Sequence, residues 1–223
     1  MLFFKKKFNQ IKCINGCSLF EDNSNFSYWE KNEVTSDEKD ILLYLNNNNL
    51  IKNKNILHIG IGNSHLAKNL KYFNSIDGIT ISNNELINGL KLKIKNYDIF
   101  FKNKYAAGDL IKNKINIYDV IIDNNLKSFA CCSASFDDLI NKYKKYLKNT
   151  GFIITSLRGM NWSRIVKPVY SFSFKKFFHM RLKEFDGPSE NILTINDCQK
   201  LCAKHKMEMN KVSGDLIILK NKI

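Results

Sequence analysis

The sequence predicts an α/β protein. The expected architecture is a doubly wound, seven-stranded, mostly parallel sheet in three α/β/α layers, ending in a C-terminal antiparallel hairpin. Three observations carry this prediction. Residues 55–82 read as apolar strand, Gly-rich turn, helix and second strand. Short apolar runs then keep alternating with stretches of helical periodicity as far as about residue 155. Two final apolar runs meet at Ser213-Gly214, a hairpin signal.

Each element has its own local reason. Thr35 followed by Glu38 has the spacing of a capping box and opens a helix through Ile41, Leu42, Tyr44 and Leu45, which ends in the Asn46–Asn49 run. Ile56–Ile59 is the first strand, and Gly60, Gly62, Asn63 and Ser64 form the turn. A helix from about Ser64 to Phe73 follows, and Ile76–Ile81 is the second strand. Glycines there let backbone N–H groups approach a ligand, to which a helix N-terminus adds partial positive charge. Asn84–Lys95 is expected to be a helix with Leu86, Leu90 and Ile94 on one face. The third strand is expected at Lys104–Gly108, ending at Asp109. Tyr118–Ile122 is an unbroken apolar fourth strand ending at Asp123, as a parallel strand buried on both faces requires. A helix over Ser133–Lys148 and a fifth strand at Phe152–Thr155 complete the alternation. The last helix, Ile195–Lys206, leads into the hairpin Met207–Val212 and Asp215–Lys220.

At 223 residues the chain suits one such domain at 49–223, preceded by an N-terminal extension and lid or helix over 1–48. Residues 157–191 interrupt the alternation with an aromatic, basic insertion (Trp162, Arg164, Tyr170, Phe174, Lys176, Phe178). It is expected to cap the carboxyl ends of the strands, where ligands of open α/β sheets bind. Such a cap suits a small acidic or sugar-like substrate, or an acyl carrier. No apolar run is long enough to span a bilayer, and the start MLFFKKKF lacks the order of a signal peptide. A cytoplasmic protein is expected.

The formal charge of +14 raises the question of nucleic acid. Only Arg158, Arg164 and Arg181 are arginines, so the charge is almost all lysine, and it rises together with asparagine as AT-rich codons dictate. Arginine is the residue of bidentate base and phosphate recognition. The composition therefore speaks against nucleic acid as the main partner. The six cysteines are read as thiols. Cys198, Cys202 and His205 share a helix face, read as core and not as a metal site, because no fourth ligand accompanies them.

The order of elements, with His58-Ile59-Gly60-Ile61-Gly62-Asn63-Ser64 at the first turn and the closing hairpin, resembles the class I S-adenosylmethionine-dependent methyltransferases over about residues 50–220. Gly60 and Gly62 match the family's glycines, while His58 stands for its acid and Ser64 for its third glycine. The resemblance implies S-adenosylmethionine as cofactor, held by His58, Gly60, Gly62, Asn63, Ser64, Thr80, Asp109 and Asp123. Thr80 stands where the family places an acid on the ribose hydroxyls. Asp109 would contact the adenine amino group, and Asp123 would lie beside the methyl group. Methyl transfer needs orientation more than proton removal. The candidate bases are Asp123 and His58, with His179 reaching in from the insertion. The Asn-Pro-Pro-Tyr signature of methylation on nucleic-acid bases is absent after the fourth strand. With Asp123 as the one carboxylate in the place of a magnesium set, no metal is expected. The expected function is methylation of a small molecule. The competing readings are a non-catalytic methyltransferase-like binding domain and a Rossmann dehydrogenase, the latter disfavoured by GIGNSH and Thr80.

Overall fold

A computed structural model describes residues 11–19, 26–157 and 193–222, without the side chains of Ser27 and Tyr28. The aromatic insertion and His179 lie outside the described residues. Two helices, α1 (Ser27–Lys31) and α2 (Ser36–Asn47), precede the alternating core. That core runs β1 (Asn55–Ile59), α3 (His65–Asn69), β2 (Ser75–Thr80), α4 (Asn83–Lys91), β3 (Tyr97–Phe101) and β4 (Tyr118–Ile122). It continues with α5 (Ser133–Tyr146), β5 (Leu147–Ser156), α6 (Ile195–His205), β6 (Met207–Ser213) and β7 (Leu216–Asn221).

The seven strands lie in the order β3-β2-β1-β4-β5-β7-β6. The first five are mutually parallel, and β7 runs antiparallel between β5 and β6. β1 and β4 sit centrally, and Ile56, Leu57, Val120, Ile121 and Ile122 are fully buried. Each such side chain contributes about 1.5–3 kcal/mol of transfer free energy. One face of the sheet packs against α5 and α6 through Leu57, Ile121, Leu139, Tyr143 and Leu201. The opposite face packs against α2 and α3 through Ile41, Leu45, Ile56, Leu66 and Ile122.

Four expectations need correction. The third strand is Tyr97–Phe101, in parallel register with β2 from Ile76↔Tyr97 to Thr80↔Phe101. α4 stops at Lys91 because Lys93 and Asn96 take left-handed backbone (φ +50° and +59°), which releases the chain in time to pair. Lys104–Gly108 is instead a loop whose buried Tyr105 hydroxyl lies 3.1 Å from Leu126 O and 3.0 Å from Ser128 O. α4 also packs differently: Leu90 is exposed, and the one buried residue of the helix is Gly89. A Cβ on Gly89 would come within 2.4 Å of Ile99 Cδ1, so helix and sheet approach where a side chain is missing. Thr35 is the N-cap of α2, yet no capping box forms, because the buried Glu38 side chain turns to α3 and accepts from Leu66 N at 3.1 Å. Finally, β5 begins at Leu147, directly after α5, with an irregularity that restores its register to β4 by Phe152.

Candidate functional site

The chain leaves β1 toward β2 and β3 on one side, then returns to lay β4 and β5 on the other. Between β1 and β4 the carboxyl ends therefore open a crevice that no connection crosses. The turn after β1 faces it. Gly60, Gly62 and Ser64 have φ of +75°, +53° and +60°, and a Cβ on Gly60 would meet nothing within 4 Å. Its backbone thus borders open space, as a closely approaching ligand needs. Gly62 is different: the Trp29 indole lies directly on it, with Cζ2 only 2.5 Å from where a Cβ would be.

α3 is five residues long, shorter than its sequence pattern suggests, since Leu70 is already extended. Its first amides are taken by side chains. His65 N donates to Asn63 Oδ1 at 2.9 Å, and Leu66 N donates to Glu38 Oε1. Asn63 is held in turn by Glu33 O at 2.7 Å, and the buried Ser64 hydroxyl pairs with the Tyr97 hydroxyl at 3.0 Å. The N-terminus of this helix is therefore already capped by a carboxyl group of the protein itself. Burial pushes the Glu38 carboxyl up to about 7, helped by the nearby charges of Asp37 and Glu85.

At the end of β2, the Thr80 hydroxyl donates to Glu85 Oε2 at 2.6 Å and accepts from Ser82 N at 3.0 Å. The other Glu85 oxygen accepts from Trp29 Nε1 at 3.1 Å. The strand end thus has its carboxylate after all, delivered from the first turn of α4. Sequence reasoning stopped at Thr80 and missed Glu85. The signal was Ser82-x-x-Glu85, the spacing of a helix start, with Ser82 accepting from Glu85 N at 3.4 Å.

No protein-family model matches the sequence, and no curated protein matches it. Solved structures do. A sugar N-methyltransferase, KedS8 from a Streptoalloteichus species, superposes with a TM-score of 0.57 at 10% identity, over 93% of this chain and 97% of its own. A SAM-dependent methyltransferase from Aquifex aeolicus gives 0.55 at 13% identity, over 88% of this chain and 97% of its own. The [4+2]-cyclase SpnF gives 0.52 at 13% identity, over 78% of this chain and 58% of its own. The chain has the class I methyltransferase fold. Its seven strands, parallel core and terminal antiparallel hairpin are the ones expected from the sequence.

Within the methyltransferase fold, the remaining candidate residues are not equivalent. Asp123 ends β4 and is buried, but Lys104 Nζ lies 3.0 and 2.8 Å from its two oxygens and the Tyr143 hydroxyl donates at 2.7 Å. Burial pushes the Lys104 ammonium down and Asp123 pulls it back up. Asp109 sits far along the loop after β3, where Lys145, in the last turn of α5, holds it at 2.9 Å and keeps its carboxyl below the usual range. That turn leads into the amino end of β5, so Asp109 is removed from the crevice. Asn103, two residues beyond β3 and buried, stands where the sequence reading expected an acid. Its Oδ1 accepts from Tyr105 N at 2.9 Å. His58 lies inside β1, 2% exposed, with Nδ1 lacking any hydrogen-bond partner among the described residues. Burial pushes its imidazole down to about 4. Cys198 and Cys202 are core residues, and His205 is engaged by Asp137 at 3.0 Å and Asn141 at 3.2 Å.

Proposed function

We propose that the protein is an S-adenosylmethionine-dependent methyltransferase acting on a small-molecule acceptor. The observation that carries this reading is the acidic lining of the crevice. In the first turn of α2, Glu38 caps α3 just after the Gly60–Ser64 turn and Asp37 meets Asn124 beyond β4, while Glu85 in the first turn of α4 meets the Trp29 ring that covers Gly62. With Asn63 on His65 N and Glu38 on Leu66 N, a pyrophosphate would find the N–H donors it needs at α3 already taken. A cationic nucleoside with ribose hydroxyls suits the same lining. This disfavours the dehydrogenase reading on electrostatic grounds.

In this reading Glu85 and Thr80 accept the ribose hydroxyls, the Gly60 backbone borders the methionine moiety, and Asn103 faces the base. The donor, once bound, supplies a methyl group on a sulfonium. The protein orients it and excludes water, which for in-line displacement is the larger part of catalysis. Asp123 is neutralised by Lys104 and His58 is sealed in the core, so neither is assigned proton transfer. The acceptor is proposed to bind over the carboxyl ends of the strands, beneath the aromatic insertion. KedS8, described as acting on a sugar, is consistent with a small polar acceptor.

Calorimetric titration with S-adenosylmethionine and S-adenosylhomocysteine tests this. Micromolar binding, about −8 kcal/mol, is expected. Glu85→Gln should weaken it about tenfold by removing a charge-assisted bond. Gly60→Val should abolish it, and Asp109→Ala should leave it unchanged. Absence of binding at millimolar donor would instead favour a binding domain without catalysis, a reading that the Trp29 cover on Gly62 also supports.

A further inference from the structure

Cys13, Cys17, Cys131 and Cys132 come from two distant parts of the chain and meet at one place. Their four Sγ atoms all lie within 4.8 Å of one another. The Cys13–Cys132 and Cys131–Cys132 separations are 4.0 and 3.9 Å. Cysteines at the corners of a tetrahedron with metal–sulfur bonds of about 2.3 Å stand roughly 3.8 Å apart. A disulfide would need a sulfur pair at about 2.05 Å and would use only two of the four.

The backbone around each pair is organised. Residues 11–19 form a tight turn, closed by the Lys12↔Ser18 bridge and by Leu19 N to Ile11 O at 2.8 Å. Within it, Cys13 N donates to Cys17 O at 3.0 Å and Gly16 N to Cys13 O at 2.9 Å. Gly16 has φ +79°, backbone that brings Cys17 round toward Cys13. On the other side, Cys132 is the N-cap of α5, a helix of 14 residues, in a capping box with Ser135. A helix N-terminus favours a thiolate over a thiol. Cys13 is buried while Cys17, Cys131 and Cys132 reach solvent in part, which leaves an entry path for an ion.

We propose that these four cysteines bind one zinc ion as a tetrathiolate site, fastening the N-terminal turn to the start of α5. Four soft ligands in a closed tetrahedral set select zinc over magnesium or calcium, and one set this tight holds a single ion. Binding one Zn²⁺ replaces four thiol protons, which pass to solvent, and no electron is transferred. The role is structural. The turn is tied to the domain through the burial of Cys13 and Leu19, the packing of Ile11 and Cys17 on the core, and the bond from Ala107 N to Lys12 O at 2.9 Å. The expectation that the protein holds no metal rested on the carboxylates after β4 and on the lack of a fourth ligand beside Cys198, Cys202 and His205, and it did not bring these four thiols together. The proposal is independent of methyltransferase activity.

The test uses the full chain, purified reduced and without added chelator. Elemental analysis should give about one zinc per chain, and exchange with Co²⁺ should produce the thiolate-to-cobalt charge-transfer bands and visible absorption of a tetrahedral sulfur site. Cys131→Ser, at the most exposed position, and Cys17→Ser should each lose the ion, while Cys198→Ala, in the core beside α5, should keep it. In the wild-type protein, chelator should raise the number of thiols that react rapidly with a disulfide reagent by about four. This last measurement needs no variant to fold. Purified protein without zinc, together with no cobalt bands on titration, would overturn the proposal, as would retention of the ion by both Cys17→Ser and Cys131→Ser. A non-reduced mass lower by two hydrogens per pair, mapped to these cysteines, would replace it with disulfides.

Discussion

Lys104 shows how one side chain can redefine its neighbours. Its ammonium lies 2.7 Å from Asn125 O as well as on both oxygens of Asp123, so it neutralises the end of β4 and pins the following loop together. Both partners are nearly sealed, with side-chain exposures of 11% and 1%. A pair of this kind is costly to break, because the remaining charge stays buried without its partner. Lys104→Met should cost about 3–5 kcal/mol in urea unfolding. Adding Asp123→Asn should recover part of that loss, because the orphaned charge is then removed as well. Asparagine matters at this scale too. Of the ten non-glycine residues with positive φ among the described residues, five are Asn. Asparagine tolerates the left-handed region better than most other side chains with a Cβ, so the asparagine-rich composition also supplies turns.

At the scale of elements, the first turn, α1, α3 and α4 behave as one unit. Trp29 of α1 rests on Gly62 and donates to Glu85 of α4, while Glu38 of α2 caps α3. A Cβ at Gly62 would overlap the Trp29 ring at 2.5–2.9 Å, and a rigid indole cannot give way without leaving its place. Gly62→Ala should therefore expel Trp29 from the turn at a further backbone cost of about 1 kcal/mol. Trp29→Phe identifies this residue's share of the tryptophan emission. If that share is unchanged in Gly62→Ala, the proposed overlap is wrong. A donor approaching the turn would have to displace the same ring, so the emission also reports on ligand binding.

For the whole molecule, two buried titrating groups act on stability with opposite signs. Glu38 has its carboxyl raised to about 7, so the folded chain holds a proton that the unfolded chain releases near 4.5. Its contribution is complete below about pH 4.5 and is lost as pH rises toward 7. His58 is lowered to about 4 from 6.5, so its neutral form contributes above pH 6.5, and that contribution is lost as pH falls toward 4. Each shift is worth on the order of 3 kcal/mol. Between pH 4.5 and 6.5 the two slopes nearly cancel, and thermal melts should show only a weak dependence on pH from this pair. Glu38→Gln keeps an acceptor for Leu66 N and removes one slope. Its stability should rise by about 3 kcal/mol from pH 4 to 6.5, and at pH 8 it should exceed the wild type. A profile parallel to the wild type across that range would show that Glu38 is ionised throughout.

The sequence by itself determined the fold class, the central strands and the closing hairpin. These are written in local patterns: apolar runs such as Ile56–Ile59 and Tyr118–Ile122, and a glycine turn between a strand and a helix. Burial on both faces demands such runs, so they are legible without partners. The third strand was not legible, because left-handed backbone at Lys93 and Asn96 decided where the helix stopped, and neither residue announces this in a periodicity. The expected strand at Lys104–Gly108 put Asp109 at its end, whereas the residues that follow β3 directly are Lys102 and Asn103. Tertiary structure alone decided which polar groups meet. Glu85 reaches Thr80 across the end of β2, Glu38 takes the Leu66 amide of α3, and Lys104 closes on Asp123. The four cysteines gather from positions 13–17 and 131–132. Hydrogen bonds and ion pairs depend on distances of a few ångströms between residues far apart in sequence, and such distances exist only once the chain is packed.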